Sequence, residues 1–309
     1  MSTYSASFNF PNGFLWGISM PDDFIREKEY SPILYHLREN GMQAVSITLE
    51  WADFEPLKGN YEETLIESTR TLLSRIRNRN LEVIVTLRIS AVPQWQNLEH
   101  VTKKTFFSNE KYNFAAHIAD ALVPYTNYFC LSISDKALFT DKELKTELET
   151  QTSIREYILS LNSSAKVGIM FSRGAFPKRN SGFPALFHSL NRNALKKTTA
   201  DFLAVSAEKI DYDGIRDVFG KERKPLMILP DCIRNSQSQD RFEILIDKVY
   251  DMWNFYQEGW NILGYLSNLD AQEDSEAFAL FSKTAKNNAL EISSADENLP
   301  DKWIRFLKD

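Results

Sequence analysis

Phe10-Pro11-Asn12-Gly13-Phe14-Leu15-Trp16-Gly17-Ile18-Ser19 contains the first of eight short apolar and β-rich runs in this chain of 309 residues. The runs are short enough for strands and recur along the whole sequence. They predict strands at Gly13–Ser19, Met42–Leu49, Leu81–Arg88, Asn127–Ser134, Lys166–Phe171, Asp201–Ser206, Pro225–Leu229 and Asn261–Ser267.

Amphipathic stretches alternate with these strands and have apolar residues three and four positions apart, which is the spacing of a helix with one buried face. They are clearest at Glu62–Arg79, Asn109–Val123, Lys142–Leu161, Asp240–Glu258 and Ser275–Ala289. No Gly-x-Gly-x-x-Gly follows the first strand, which disfavours an open doubly wound sheet that binds a dinucleotide. The alternation therefore predicts an α/β protein, a closed (β/α)8 TIM barrel in a single domain over residues 1–309.

The composition limits which partners and cofactors are expected. Hydrophobic residues make up 43% of the chain and the net charge is −6, with both signs mixed, so neither a nucleic-acid surface nor a polybasic membrane patch is expected. No basic leader and no apolar stretch of about 18 residues occurs, which predicts a soluble, cytoplasmic protein without membrane contact. Cys130 and Cys232 lack paired spacing, so no disulfide, no metal and no cofactor is expected.

Six stretches match motifs of one known family, in the order in which that family has them. They are Phe10–Gly17, Ser46–Pro56, Val85–Pro93, Cys130–Lys136, Asp201–Ser206 and Gly264–Asp270. Phe10–Gly17 is similar to Phe-Pro-x-x-Phe-Leu-Trp-Gly, and Val85–Pro93 to Val-Thr-Leu-Tyr-His-Trp-Asp-Leu-Pro. The chain thus resembles family 1 glycoside hydrolases, the β-glucosidase family, over residues 10 to 270. The resemblance implies a barrel whose active site lies at the C-terminal ends of its strands.

The residues that the resemblance would assign to sugar chemistry are replaced. Asp135 stands for the acid/base Glu, and Pro230 stands for the nucleophilic Glu. Ser46 replaces an Arg and Ile89 a His of the family. Retaining hydrolysis needs two carboxyl groups about 5 to 5.5 Å apart, and a proline side chain supplies none. The resemblance therefore implies a shortened and degenerate member of the family, a pseudoenzyme.

Polar and aromatic side chains remain at the predicted strand ends, where they could bind a small sugar or another small polar ligand. The candidates are Trp51, Arg88, Trp95, Lys136, Arg173, Glu208 and Asp270. The charged members could equally pair with one another, and Trp51 is better explained by packing. The leading hypothesis is accordingly a non-hydrolytic protein that binds carbohydrate or a protein partner.

Two alternatives stay open. The first is an active glycosidase that cleaves O-glycosyl bonds, with Asp135 as acid/base and Asp231 or Asp270 as the second carboxylate. A separation of roughly 6.5 to 9.5 Å between the carboxyl groups would then indicate inversion. Asp231 would face the site only if the strand end turned or bulged, since successive side chains point to opposite faces. The second alternative is a scaffold protein that uses the outer helices of the barrel.

Overall fold

A computed structural model describes most of the chain. The described residues are 4–26, 30–89, 93–95, 108–132, 141–171, 197–206, 212–220, 222–229, 238–269, 272–296 and 299–308. The strands in these ranges are β1 Ser5–Asn9, β2 Leu15–Ser19, β3 Ala44–Glu50, β4 Glu82–Arg88, β5 Tyr128–Ser132, β6 Lys166–Phe171, β7 Phe202–Ser206, β8 Leu226–Leu229, β9 Ile262–Ser267 and β10 Ala289–Ser293.

The helices in the same ranges are α1 Ser31–Glu39, α2 Trp51–Phe54, α3 Glu63–Arg77, α4 Ser108–Leu122, α5 Asp141–Leu161, α6 Tyr212–Phe219, α7 Ser238–Gln257, α8 Ser275–Asn287 and α9 Asp301–Phe306. The five helices predicted from periodicity are α3, α4, α5, α7 and α8, and their ends lie within two residues of the predicted ones. A described helix follows each strand from β2 to β9 except β6, whose following residues, 172–196, lie outside the described part of the chain.

Strands β2 to β9 form a closed parallel barrel, because β2 pairs with both β3 and β9. This confirms the predicted TIM barrel, and each of the eight predicted strands overlaps one strand of the barrel. In such a barrel the helices cover the outside and the strand side chains alternate between the helix layer and the interior. The C-terminal ends of the eight strands therefore meet around one mouth.

Two separate apolar clusters reflect this alternation. The larger one lies between the barrel and its helices and includes Val45, Ile47 and Leu49 of β3. The smaller one joins residues of six different strands, which can meet only inside the barrel. Its buried members are Ala44, Ile84, Cys130, Phe202, Ala204, Met227, Leu229 and Leu266. Even-numbered residues of β3 and β4 consequently point into the barrel interior.

Strands β1 and β10 pair in a small antiparallel sheet, which joins the N-terminal part of the described chain to its C-terminal part. The sequence predicted neither strand. Asn288 anchors the sheet to the barrel, because its side-chain oxygen accepts the indole N–H of the buried Trp16 at 2.9 Å. Its side-chain nitrogen donates to the carbonyls of Phe10 and Pro11 at 2.9 and 3.1 Å. Asn288 has a φ of 51°, a left-handed conformation that asparagine tolerates better than most residues.

Candidate functional site

The barrel interior is apolar toward the N-terminal ends of the strands. Phe202, the first residue of β7, is fully buried there, and Tyr128, the first residue of β5, meets it edge to face at 6.3 Å between ring centroids. Gly168 of β6 pairs in register with Phe202 and leaves room for its ring. Burial raises the pKa of the Cys130 thiol in the same cluster, so this cysteine is a packing residue and a poor nucleophile. A ligand would therefore enter from the opposite end.

Hydroxyl groups line the interior above this apolar layer. Ser46 of β3 donates a hydrogen bond of 2.8 Å to the side chain of Ser19, its register partner on β2. Thr48 and Thr86 are paired in register one step closer to the mouth, and Thr86 is buried whereas Thr48 is half-buried. Ser46 is the residue that stands for an Arg of the family, so a short hydroxyl fills a position that the resemblance assigns to a cation.

An ion pair forms the next layer, at the C-terminal ends of β3 and β4. Glu50 and Arg88 are register partners, and the Nη1 atom of Arg88 donates to Oε1 of Glu50. The two side chains keep 29% and 35% of their surface exposed, so the pair lies at the rim rather than in the core. The sequence left two roles open for Arg88, namely ligand binding and pairing with another charged residue. The structure shows a pair with Glu50. Its role toward a ligand stays a prediction.

Trp51 and Trp95 hydrogen-bond to one glutamate just outside the barrel mouth. The Trp51 indole N–H donates to Oε2 of Glu55 at 2.7 Å, and the Gly59 amide donates to Oε1 at 2.7 Å. The Trp95 indole N–H donates to the Glu55 carbonyl at 3.0 Å. Trp51 has no exposed surface and stacks on Phe114 of α4. In this conformation its ring offers no face to a ligand.

Glu55 was not predicted from the sequence, although it is only 4% exposed and accepts hydrogen bonds from both tryptophans. The available signal was its position four residues after Trp51, since side chains at that spacing meet along a helix. Trp95 is partly buried in the core and has the Lys58 ammonium 5.6 Å from its ring centroid. Its assignment as a ligand-binding residue is still a prediction.

The remaining predicted site residues lie outside the described residues. They are Asp135, Lys136, Arg173, Glu208, Asp231 and Asp270. Pro230 lies outside as well, but β8, which is described, ends at Leu229, one position before it in the sequence. Ile89, which stands for the family's His, is fully buried directly after β4.

No metal site appears within the described ranges, where no three His, Cys, Asp or Glu side chains are grouped suitably. Over the same residues, no helix combines the length and the apolar character that a bilayer crossing requires.

Comparison with known proteins gives a likeness of fold. No family model matches the chain, and no curated protein matches it. Among solved structures, the β-glycosidase from Pyrococcus horikoshii is 13% identical with a TM-score of 0.66, over 96% of this chain and 100% of the other. The β-glucosidase from Thermotoga maritima in complex with deoxynojirimycin is 10% identical with a TM-score of 0.66, over 91% and 99%. The β-glycosidase BGL167 is 14% identical with a TM-score of 0.68, over 90% and 97%. The chain therefore has a glycosidase-like TIM barrel fold.

Proposed function

We propose that this chain is a catalytically degenerate relative of the β-glycosidases, which no longer hydrolyses glycosides and binds a small sugar or a similar polar ligand at the barrel mouth. A fold can persist after its catalytic activity is lost, because the packed core and the active site depend on different residues. The proposal combines the fold with the residues that occupy the matched positions.

The observation that carries the proposal is the end of β8. Its interior-facing residues are Met227 and Leu229, both in the apolar cluster of the barrel. The described strand β8 therefore presents no carboxylate to the interior, whereas the assignment of Pro230 to the position of the nucleophilic Glu rests on the sequence match alone, since alternation beyond Leu229 gives the interior parity to position 231. Ser46 and Ile89 support the loss of hydrolysis, since neither side chain has a charge with which to bind a sugar.

Turnover of aryl β-glycosides tests the loss of hydrolysis. We expect purified protein to release no aryl alcohol from β-glucosides, β-galactosides or β-mannosides above the rate of its Asp135→Ala variant. Thermal unfolding of both proteins shows whether they are folded during the assay. Turnover that vanishes in Asp135→Ala would overturn the proposal and favour the active glycosidase.

Thermal shift against neutral monosaccharides and disaccharides tests the binding half. A ligand that binds only the native state raises the midpoint of unfolding by mass action. We expect at least one sugar to do so in a dose-dependent way. If none of the sugars shifts the midpoint, the binding half is wrong and the scaffold alternative is favoured.

A further inference from the structure

The dipeptide Asn-Gly occurs twice in the chain, at Asn12-Gly13 and at Asn40-Gly41. In each copy the backbone nitrogen of the glycine is a few bonds away from the side-chain amide of the asparagine, and glycine has no Cβ atom that would hinder a reaction between them. The two copies have the same local chemistry. A difference in their reactivity in the folded protein must therefore come from their surroundings.

Asn12 and Gly13 lie in an exposed turn just before β2. The Phe14 amide donates to the Pro11 carbonyl at 3.2 Å and closes the turn, in which Gly13 has a φ of 83°. Both residues of the dipeptide are exposed, and a Cβ atom at Gly13 would meet nothing within 4 Å. Within the described part of the chain, neither the Asn12 side chain nor the Gly13 amide makes a hydrogen bond. Both groups can therefore change orientation without losing a contact.

Asn40 and Gly41 follow α1 and are held at each group that would react. The Asn40 Nδ2 atom donates to the His36 carbonyl at 2.9 Å, and its Oδ1 atom accepts from Oγ of Ser282 at 3.0 Å. The Gly41 amide donates to the Arg38 carbonyl at 3.1 Å. A Cβ atom at Gly41 would lie 2.5 to 3.1 Å from three atoms of α8, so this helix packs directly against the glycine. Any rearrangement of this dipeptide has to break several of these contacts.

We propose that Asn12 is a site of spontaneous covalent modification, in which it forms a succinimide with Gly13, and that the fold protects Asn40 from the same reaction. Solvent removes the proton of the Gly13 amide, and the nitrogen attacks Cγ of Asn12. As this bond forms, the bond from Cγ to Nδ2 breaks, and Nδ2 takes up a proton and leaves as ammonia. The modification is independent of the proposed function.

Water then opens the cyclic imide in one of two ways. Cleavage of the bond between Cγ and the Gly13 nitrogen gives aspartate, which keeps the length of the main chain. Cleavage at the backbone carbonyl carbon gives isoaspartate, in which the main chain runs through Cγ and is longer by one carbon atom. Each product has a new carboxylate, and no oxidant or reductant is required.

The residues on both sides of the turn are fixed, so the two products differ in their effect on the fold. The Pro11 carbonyl accepts from Nδ2 of Asn288 at 3.1 Å. Phe14 is 4% exposed, and its ring centroid lies 4.8 Å from that of Phe10. A longer main chain between two fixed residues distorts the turn, whereas aspartate adds only an exposed charge. Isoaspartate should therefore weaken the contact of the small sheet with the barrel.

Incubation of the full chain in mildly alkaline buffer, followed by peptide mapping with mass spectrometry, tests the modification. The measured quantities are the rates at which Asn12 and Asn40 are converted to aspartate and isoaspartate. We expect Asn12 to be converted at least about tenfold faster, which corresponds to a difference of about 1.4 kcal/mol in activation free energy. Conversion of Asn40 at the same rate or faster would overturn the inference, as would an unmodified Asn12 in a sample whose unfolded chain reacts.

The same chain unfolded in guanidinium chloride is the control for local sequence. Both asparagines should then be converted at similar rates, because the contacts that protect Asn40 are gone. A difference that persists in the unfolded chain belongs to the sequence, and the structural explanation is then wrong.

Ser282→Ala tests the protection of Asn40 in the folded protein. It removes the hydroxyl that donates to both the backbone carbonyl and Oδ1 of Asn40, each at 3.0 Å. Conversion of Asn40 should accelerate while that of Asn12 stays unchanged. An unchanged rate at Asn40 contradicts its protection by these hydrogen bonds. Asn12→Gln, whose longer side chain cannot form the same ring, should remove the reaction at position 12 and leave position 40 as it was.

Thermal unfolding of the chromatographically separated products tests the effect on the fold. Asn12→Asp is the control for the added charge, because it has the carboxylate without the longer main chain. We expect the isoaspartyl protein to unfold at a lower temperature than Asn12→Asp, and Asn12→Asp to unfold close to the wild type. Equal midpoints for the isoaspartyl protein and Asn12→Asp would refute the effect on the small sheet.

Discussion

Gly168 allows the barrel to enclose an aromatic ring. A Cβ atom at this position would lie 2.2 to 2.5 Å from three carbons of the Phe202 ring. Such distances are far below van der Waals contact, and Phe202 is fully buried with other interior side chains around it. Only a residue without a side chain fits beside the ring, so glycine at 168 and phenylalanine at 202 are coupled.

Gly168→Ala should lower the free energy of unfolding by about 1 to 3 kcal/mol, because overpacking a tight core strains its neighbours. Urea unfolding measures the loss. Phe202→Leu removes the ring and should itself destabilise the protein by leaving a cavity. The double variant should lose less than the sum of the two single losses, with a coupling of about 0.5 kcal/mol or more. Strictly additive losses would contradict the proposed contact.

At the scale of elements, a buried ion pair joins two outer helices. Lys111 of α4 donates to Oε2 of Glu147 on α5 at 2.6 Å. The Glu147 side chain is 2% exposed and that of Lys111 12%. A buried pair need not stabilise a protein relative to apolar residues, but removing one partner leaves an uncompensated charge. The pair therefore constrains how α4 and α5 can pack.

Lys111→Met should lower the free energy of unfolding by about 3 to 5 kcal/mol, because Glu147 then loses its ionic partner while its side chain remains buried. Denaturant unfolding of the variant tests this. The double variant Lys111→Met, Glu147→Leu should recover most of the loss, since both charges are gone.

The exposed pair Lys145 and Glu149 on α5 provides the control, as its side chains are 75% and 65% exposed. Lys145→Ala should change the free energy of unfolding by less than about 1 kcal/mol. An equal effect at Lys111 and Lys145 would show that the burial of the first pair has no energetic consequence.

For the whole molecule, tyrosines whose pKa is raised in the folded state limit stability at high pH. Burial raises the pKa of Tyr265, on β9 within the helix-facing core, to about 12, although a hydrogen bond with Ser267 acts in the opposite direction. Burial, together with the charge of Glu55, raises the pKa of Tyr61 to about 12. The unfolded chain releases these protons near pH 10, while the folded protein still holds them. The stability is therefore complete below about pH 10 and decreases as the pH rises toward 12.

Urea unfolding between pH 9 and 12 should show this decrease in the free energy of unfolding. Tyr265→Phe cannot ionise and should make the decrease less steep, with a difference on the order of 1 to 2 kcal/mol by pH 12. Tyr4→Phe is the control, because Tyr4 is exposed at the surface. The interpretation is wrong if Tyr265→Phe and the wild type lose stability in parallel.

The candidate site was only partly predictable. The sequence indicated Arg88 as a strand-end residue, but its pairing with Glu50 depends on the register of β3 against β4. Trp51 was selected as an aromatic residue near the mouth, and the structure places it fully inside the core. Its hydrogen bond to Glu55 could be suspected from the spacing of four, whereas that of Trp95 joins segments 40 residues apart. Contacts at such separations leave no local pattern.

The sequence alone determined the eight barrel strands and the long helices, because periods of two and of three to four residues are local consequences of burying one face. It also determined that proline follows β8, which excludes a side-chain nucleophile at that position. Tertiary structure decided which side chains meet. Closure of the barrel brings together the residues joined by the small sheet of β1 and β10 and by the hydrogen bonds of Asn288. The ion pair of Glu50 and Arg88 depends on the register of β3 against β4, and register and packing are properties of the whole chain.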